Sequence, residues 1–161
     1  MRKMLLSMKP YWFEKVMSGE KIYEYRNRFP NEKIEAYIYV SNPVKAIAGI
    51  IYLDPRIKTS DWLKTYEDNK EVSERIKHYM KKNAFAMPIV ATQRIQPISS
   101  EKMKATVEKF IIPESYYYLD NYPDILNAIN ENLIFKERKS VTELQRFQSE
   151  SEICRNYNEE K

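Results

Sequence analysis

The chain has 161 residues, 43% of them hydrophobic and 31% charged, which is typical of one globular domain with a core and a well-solvated surface. The net charge of +4 is uneven, because residues 1–58 hold eleven Lys/Arg against six Asp/Glu and the remainder carries about −1. No apolar run approaches the roughly 20 residues that cross a bilayer, and charges interrupt the start of the chain, so we expect no membrane span, no secretory signal and a cytoplasmic location.

The first third predicts one helix among several strands. An apolar run over residues 3–8 indicates a strand, and Pro10 suits the first turn of a helix that continues through "YWFEKVMS". Gly19 falls where a left-handed residue ends such a helix. Alternating aromatic and β-branched residues then predict three strands: "KIYEYRNRF", "IEAYIYVS" over 34–41 and "KAIAGIIYL" over 45–53. Gly49 inside the last of these indicates a bulge or a close backbone approach.

The rest of the chain predicts mainly helices. Ser60 and Asp61 can cap a helix over "WLKTYEDN", and "KEVSERIKHYMKKN" predicts a second one. Residues 84–95 predict a strand, with Pro88 at an edge or a bulge. "PDILNAINENLI" and the terminal "SVTELQRFQSESEICRNYNEEK" predict two further helices. The element order predicts an α+β fold, with a mixed or antiparallel sheet curled toward a small barrel and flanked by helices.

The segment "SGEKIYEYR", residues 18–26, is the most informative one. A strand places Tyr23 and Tyr25 on one face and Glu24 and Arg26 on the other, with Lys21 in the preceding turn. Two interpretations stay open. The charged face is a solvated edge with an ordinary ion pair. Alternatively it is a pocket floor, in which the lysine and the arginine hold an anionic or carbonyl group while the glutamate orients the arginine or accepts from a base edge.

Other functional signals are weaker. The chain contains only two glycines, which is too few for a P-loop or for the dinucleotide-binding fingerprint. With Cys154 as the single cysteine and His78 as the single histidine, the chain can form neither an intramolecular disulfide nor a Cys/His zinc site, and we expect no metal and no cofactor. The basic run "KHYMKK", 77–82, either touches phosphates or is a solvated helix face, and the many tyrosines either stack on bases or pack in the core.

The segment "LLSMKPYWFEKVMSGEKIYEYRNRFP" resembles the opening of an ASCH domain, of the PUA-like superfamily. The hallmark of that family is Gly-x-Lys-x-x-Glu-x-Arg, which is complete here as Gly19, Lys21, Glu24 and Arg26. "IEAYIYVSNPVKAIAGIIYL" resembles the next family block and places Gly49 on a family position. The resemblance covers roughly residues 3–119, and we divide the chain into a PUA-like domain, 1–136, and a C-terminal helical extension, 137–161.

The resemblance implies a small barrel and a cleft, lined by the motif, that binds RNA or a nucleotide-like ligand. The candidate binding residues are the three charged motif residues together with five cleft neighbours: Lys9, Arg28, Tyr39, Ser41 and Asn42. A binding protein is favoured over an enzyme.

Two alternatives remain. A related branch resembles acetylcytidine amidohydrolases, which implies a hydrolase with Lys21 and Glu24 as its acid–base pair. The glutamate stands where that branch has its hydroxyl nucleophile, which counts against the same chemistry. The other alternative is an interaction protein that docks a partner through the C-terminal helix.

Overall fold

The computed structural model describes residues 1–157, so the last four residues of the predicted terminal helix lie outside the described residues. Eight strands are formed in this part of the chain: β1 (Arg2–Met8), β2 (Tyr23–Arg26), β3 (Ile34–Val40), β4 (Ala46–Leu53), β5 (Ile57–Lys58), β6 (Phe85–Ser99), β7 (Tyr116–Tyr118) and β8 (Ser140–Val141). Five α-helices accompany them: α1 (Pro10–Met17), α2 (Thr59–Thr65), α3 (Lys70–Met80), α4 (Ser100–Thr106) and α5 (Pro123–Asn132).

The strands form one curled half-barrel sheet in the order β2-β6-β4-β3-β1-β7. β1 and β3 run parallel, and the other pairs along this path are antiparallel. The 15-residue β6 is central, because it pairs with β2 and β4 and also carries the short β5 and β8. The α+β class and the barrel-like sheet predicted from the sequence are confirmed.

Gly49 explains how α1 fits against the sheet. The pairing of β3 with β4 and of β4 with β6 shifts register next to this glycine, which is the predicted bulge. A Cβ at this position would lie 2.9 Å from Met17 Cε and 3.0 Å from Phe13 Cε1. Both side chains are buried on α1, so the missing side chain lets the helix approach the strand closely.

Of two local predictions, one holds in part and the other was wrong. Pro88 lies inside the central β6, opposite Tyr23, and not at a sheet edge, but the β4–β6 pairing shifts register directly after it, which agrees with the predicted bulge. Its missing N–H is tolerated beside this irregularity. Ser60 and Asp61 lie inside the first turn of α2, whose N-cap residue is Lys58, so they do not cap it.

The C-terminal segment differs most from its prediction. Instead of a regular helix, residues after α5 form the two-residue β8 and two short 3-10 turns, Leu144–Gln148 and Glu150–Glu152. Val141 and Leu144 are 72% and 74% exposed, whereas Ile153 and Cys154 are buried and, with the partly buried Phe147, pack against the domain. The division of the chain at residue 136 remains a prediction.

No helix within residues 1–157 is both long and apolar enough to cross a membrane.

Candidate functional site

A cleft of about 600 Å³ opens where the free side of β2 faces β1. One wall consists of α1, the end of β1 and the motif residues, and another consists of the C-terminal end of α3 with the turn that follows it. The lining side chains are Ser7, Met8, Lys9, Trp12, Lys21, Glu24, Tyr25, Arg26, Ser41, His78, Tyr79, Lys81, Lys82, Asn83 and Glu114. Five of these are Lys or Arg and two are Glu, so the cleft is basic.

The turn after α1 places the motif lysine at the cleft. Gly19 has a φ of +81°, and its N–H donates to Val16 O, as predicted for a left-handed residue that ends a helix. The Lys21 N–H then donates to Lys15 O at 2.9 Å, which folds the chain back over the last turn of α1. The lysine side chain, 11% exposed, is thereby held against the barrel.

Glu24 is the buried anchor of the site. It is 5% exposed, and its carboxylate accepts from Arg26 Nε at 2.7 Å and lies 3.7 Å from Lys21 Nζ. A buried carboxylate requires such partners, since an unpaired charge is strongly disfavoured there. The interpretation of this face as a solvated edge is therefore excluded.

Arg26 joins the two sides of the barrel opening. Besides its bond to the glutamate, its Nη1 donates to Ser115 Oγ at 3.0 Å and its Nη2 donates to Ser7 O at 3.1 Å. Three of the five N–H donors of the guanidinium thus bind protein groups on β2, β1 and the segment before β7. This residue closes the barrel at the back of the cleft.

Lys21 is framed by aromatic rings. Its Nζ lies 4.6 Å from the ring centroid of Trp12 and 5.8 Å from that of Tyr25, so cation–π attraction adds to the glutamate contact. Both rings line the cleft.

The charge state of Glu24 limits its chemistry. Burial alone would raise the pKa of this carboxyl, but the neighbouring Lys21 and Arg26 outweigh burial and lower the pKa below its ordinary value. The carboxylate therefore stays ionised and binds protons poorly. That makes it a structural counter-ion and a weak candidate for acid–base work at neutral pH.

The α3 wall carries most of the exposed positive charge. Asn69 caps the helix by accepting from the Val72 N–H, and the last turn brings His78 to the cleft. Lys81 and Lys82 follow in the next turn, and both are exposed. The basic run "KHYMKK" thus reaches the site.

Five of the eight predicted binding residues line the cleft: Lys9, Lys21, Glu24, Arg26 and Ser41. The other three lie elsewhere. Tyr39 is 3% exposed and packs in the core, with its ring 6.3 Å from that of Phe110, so it was wrong as a cleft residue. Arg28 and Asn42 occupy exposed turns beyond the lining residues, one after β2 and the other after β3.

Three further residues line the cleft that were not among the predicted binding residues: Trp12, Tyr25 and His78. The tryptophan lies on the predicted first helix, but it is half-buried and lines the cleft, while Phe13, Val16 and Met17 form the buried face. Its position two residues after a proline that starts the helix was the available signal.

Within the described residues, no group of three or more His, Cys, Asp or Glu side chains could hold a metal ion.

Comparisons with known proteins bear on the fold. No protein-family model matches the chain. An ASCH domain-containing ribonuclease of Zymomonas mobilis is 25% identical over 125 residues, which span 73% of this chain and 84% of the relative.

Solved structures give the same result. A crystal structure of a serine-to-alanine variant of the Zymomonas mobilis ASCH protein matches with a TM-score of 0.63 and 22% identity, over 82% of this chain and 96% of that one. A second crystal structure of ASCH from this organism matches with a TM-score of 0.58 and 21% identity, over the same shares. The resemblance to ASCH domain proteins is confirmed, and the chain has their fold.

Proposed function

We propose that the cleft binds single-stranded RNA or a nucleotide-like ligand. The observation that carries the proposal is the combination of exposed cations with aromatic ring faces in one opening. Lys9, Lys81 and Lys82 are exposed at its rim, while Trp12 and Tyr25 present rings inside it. Cations that neutralise phosphates and rings that stack on bases are the two parts of single-strand binding sites.

The motif residues have a different part in this proposal. Because Glu24 neutralises Lys21 and Arg26 at close range, the motif adds little net charge to the cleft. In this proposal the motif fixes the shape of the cleft floor, and its remaining N–H groups are held in place to donate hydrogen bonds to the ligand. Attraction of the phosphates then comes from the lysines of the rim.

The name of the curated relative, a ribonuclease, supports RNA as the ligand class and favours RNA cleavage as a second candidate function. Cleavage by internal transfer needs a base for the ribose 2′-hydroxyl and an acid for the leaving 5′-oxygen. His78, the single histidine of the chain, lines the cleft, and histidine is the residue type used most often for general acid–base catalysis. Loss of cleavage in His78→Ala with retained RNA binding supports this candidate, and unchanged cleavage argues against it.

Fluorescence anisotropy with a 5′-labelled single-stranded RNA tests the binding proposal. Replacing Lys81 and Lys82 by alanine should weaken binding about tenfold and should lower the slope of log K against log salt by about 0.7 per lysine. The matched control replaces the exposed Lys102 and Lys104 of α4, which lie outside the cleft lining and carry the same charge. Equal losses in both double variants, or no binding by the wild type at low salt, contradict the proposal.

The structure gives less support to the two alternatives, an amidohydrolase and a docking helix. The amidohydrolase hypothesis needs Glu24 to exchange protons with Lys21, and the lowered pKa of that carboxyl argues against it. An acetylcytidine turnover assay on the wild type and Lys21→Ala decides the point. The hypothesis of a docking helix is weakened because the described part of the C-terminal segment is not an α-helix and packs on its own domain.

A further inference from the structure

The C-terminal segment 146–157, here called the strap, contacts both walls of the cleft from behind. Its buried residues Ile153 and Cys154 join a core cluster with Tyr23 and Trp62, on the outer side of β2. The strap is thus a built part of the domain.

Arg155 is bound to the motif turn. Its Nη1 donates to Glu20 O at 3.1 Å, and its Nη2 donates to the Glu20 carboxylate at 3.3 Å. Glu20 directly precedes the motif lysine. One residue earlier, Gly19 O accepts from Arg146 Nη1 at 2.8 Å. Two consecutive carbonyl groups of the motif turn are therefore held by strap arginines.

The same short stretch supports two aromatic residues of the motif wall. The Cys154 N–H donates to Tyr25 Oη at 2.9 Å, and the Tyr157 ring packs edge-on against Trp12, with ring centroids 5.3 Å apart. Cys154 has a φ of +48°, a left-handed conformation that is unfavourable for a residue with a side chain. Its complete burial and this hydrogen bond hold it in place.

The strap also reaches the α3 wall. Arg155 O accepts from the Tyr79 hydroxyl, and Ile153 O accepts from Arg75 Nη2 at 3.0 Å. Arg75 Nη2 donates to Glu150 O as well. One segment therefore fixes the spacing between a neutralised motif wall and a basic helix wall.

We propose that Arg155 is a positioning residue for the cleft: by tying the motif turn to α3 through the strap, it sets the separation of the two walls that bind RNA. The expected effect on RNA affinity rests on the proposed function, whereas the tie between the motif turn and α3 rests on the hydrogen bonds of the strap. It gives the C-terminal segment a role inside its own domain.

Arg155→Ala tests the proposal, with Arg155→Lys as the conservative variant and Gln145→Ala as the control. Gln145 is an exposed residue nearby in the C-terminal segment whose side chain bonds to Glu143. We expect Arg155→Ala to bind RNA about fivefold more weakly, since two hydrogen bonds to the turn are lost. The lysine variant should recover part of the affinity, and the control should match the wild type.

Two readouts separate positioning from other roles. The salt slope of RNA binding should not change in Arg155→Ala, because a positioning residue neutralises no phosphate. Labelling of Cys154, the single cysteine, by a thiol reagent should become faster as the strap loosens. A lowered salt slope would show a direct phosphate contact and overturns the proposal. Faster labelling with unchanged RNA affinity also overturns it, because the strap would then be structural only.

Failure of the proposed function remains distinguishable. If the wild type binds no RNA, Trp12 emission in a Trp62→Phe background still reports the wall geometry. A shift in that emission on adding Arg155→Ala supports the positioning of the wall, and an unchanged spectrum overturns it.

Discussion

The two walls of the cleft differ in whether their positive charges are paired within the protein. On the motif wall, Glu24 is 5% exposed and forms ion pairs with Lys21 and Arg26, so the charges compensate one another inside the protein. On the α3 wall, Lys81 and Lys82 are exposed to solvent. The difference shows that cations lining one cleft can have different environments, since those of the motif wall are paired within the protein while those of the α3 wall remain in contact with solvent.

The largest loss of stability is expected for a substitution on the motif wall. Glu24→Gln should lower the free energy of unfolding by about 3 kcal/mol, because it leaves two poorly solvated cations without their counter-ion. Urea unfolding followed by circular dichroism measures the change.

The control for that substitution is Glu71→Gln. Glu71 is 86% exposed and lies 3.5 Å from Arg75, so its loss should change the free energy of unfolding by about 0.5 kcal/mol or less. Equal stability of the two variants would contradict the claim that the buried ion pairs of Glu24 contribute more to stability than an exposed pair.

A smaller loss is expected for Arg26→Lys, about 2 kcal/mol in the free energy of unfolding. A lysine keeps the charge but cannot bind Glu24, Ser7 and Ser115 together, since it lacks the planar fork of the guanidinium. Arg28→Lys, at an exposed position two residues later, should be close to neutral. Wild-type stability for the Arg26 variant would mean that the bonds across the opening contribute little.

The pH dependence sharpens the contrast further. The folded-state pKa of Glu24 lies below the ordinary value of 4.5, so its stabilising contribution is present above pH 4.5 and is lost as the pH falls through the folded pKa. The stability difference between the wild type and Glu24→Gln should therefore be constant near neutral pH and shrink in acid. Urea titrations between pH 7 and pH 3 test this, and a difference that does not vary with pH would contradict the lowered pKa.

The smallest effect on stability is expected on the α3 wall. The double substitution of Lys81 and Lys82 by alanine should change the free energy of unfolding by no more than about 0.5 kcal/mol, because exposed charges contribute little to stability. The same variant should lose RNA affinity, as proposed above. A large stability loss would show that these lysines are structural.

The sequence could predict features that depend on neighbouring residues. The alternation of Tyr23 and Tyr25 with Glu24 and Arg26 follows from the two-residue period of a strand, and the structure confirms it. Gly19 was predictable for the same reason, because the end of a helix requires its conformation locally.

Features that depend on distant packing could not be predicted. Tyr39 alternates like a half-exposed residue, but β3 is buried on both faces, by the barrel interior on one side and by the cluster around α4 and α5 on the other. The arrival of His78 at the cleft depends on where α3 packs. The strap is held by arginine bonds to backbone carbonyls as well as by the burial of Ile153 and Cys154, and such bonds leave no periodic pattern in a sequence.

The central position of β6 has a consequence for how the protein folds. Glu24 lies opposite Met87 of this strand, so its burial must wait until two segments far apart in the chain have met. Before that encounter the glutamate and Arg26 remain in water, where their attraction is weak. We therefore expect this ion pair to lengthen the lifetime of the folded state without speeding its formation, so that Glu24→Gln raises the unfolding rate and leaves the refolding rate nearly unchanged.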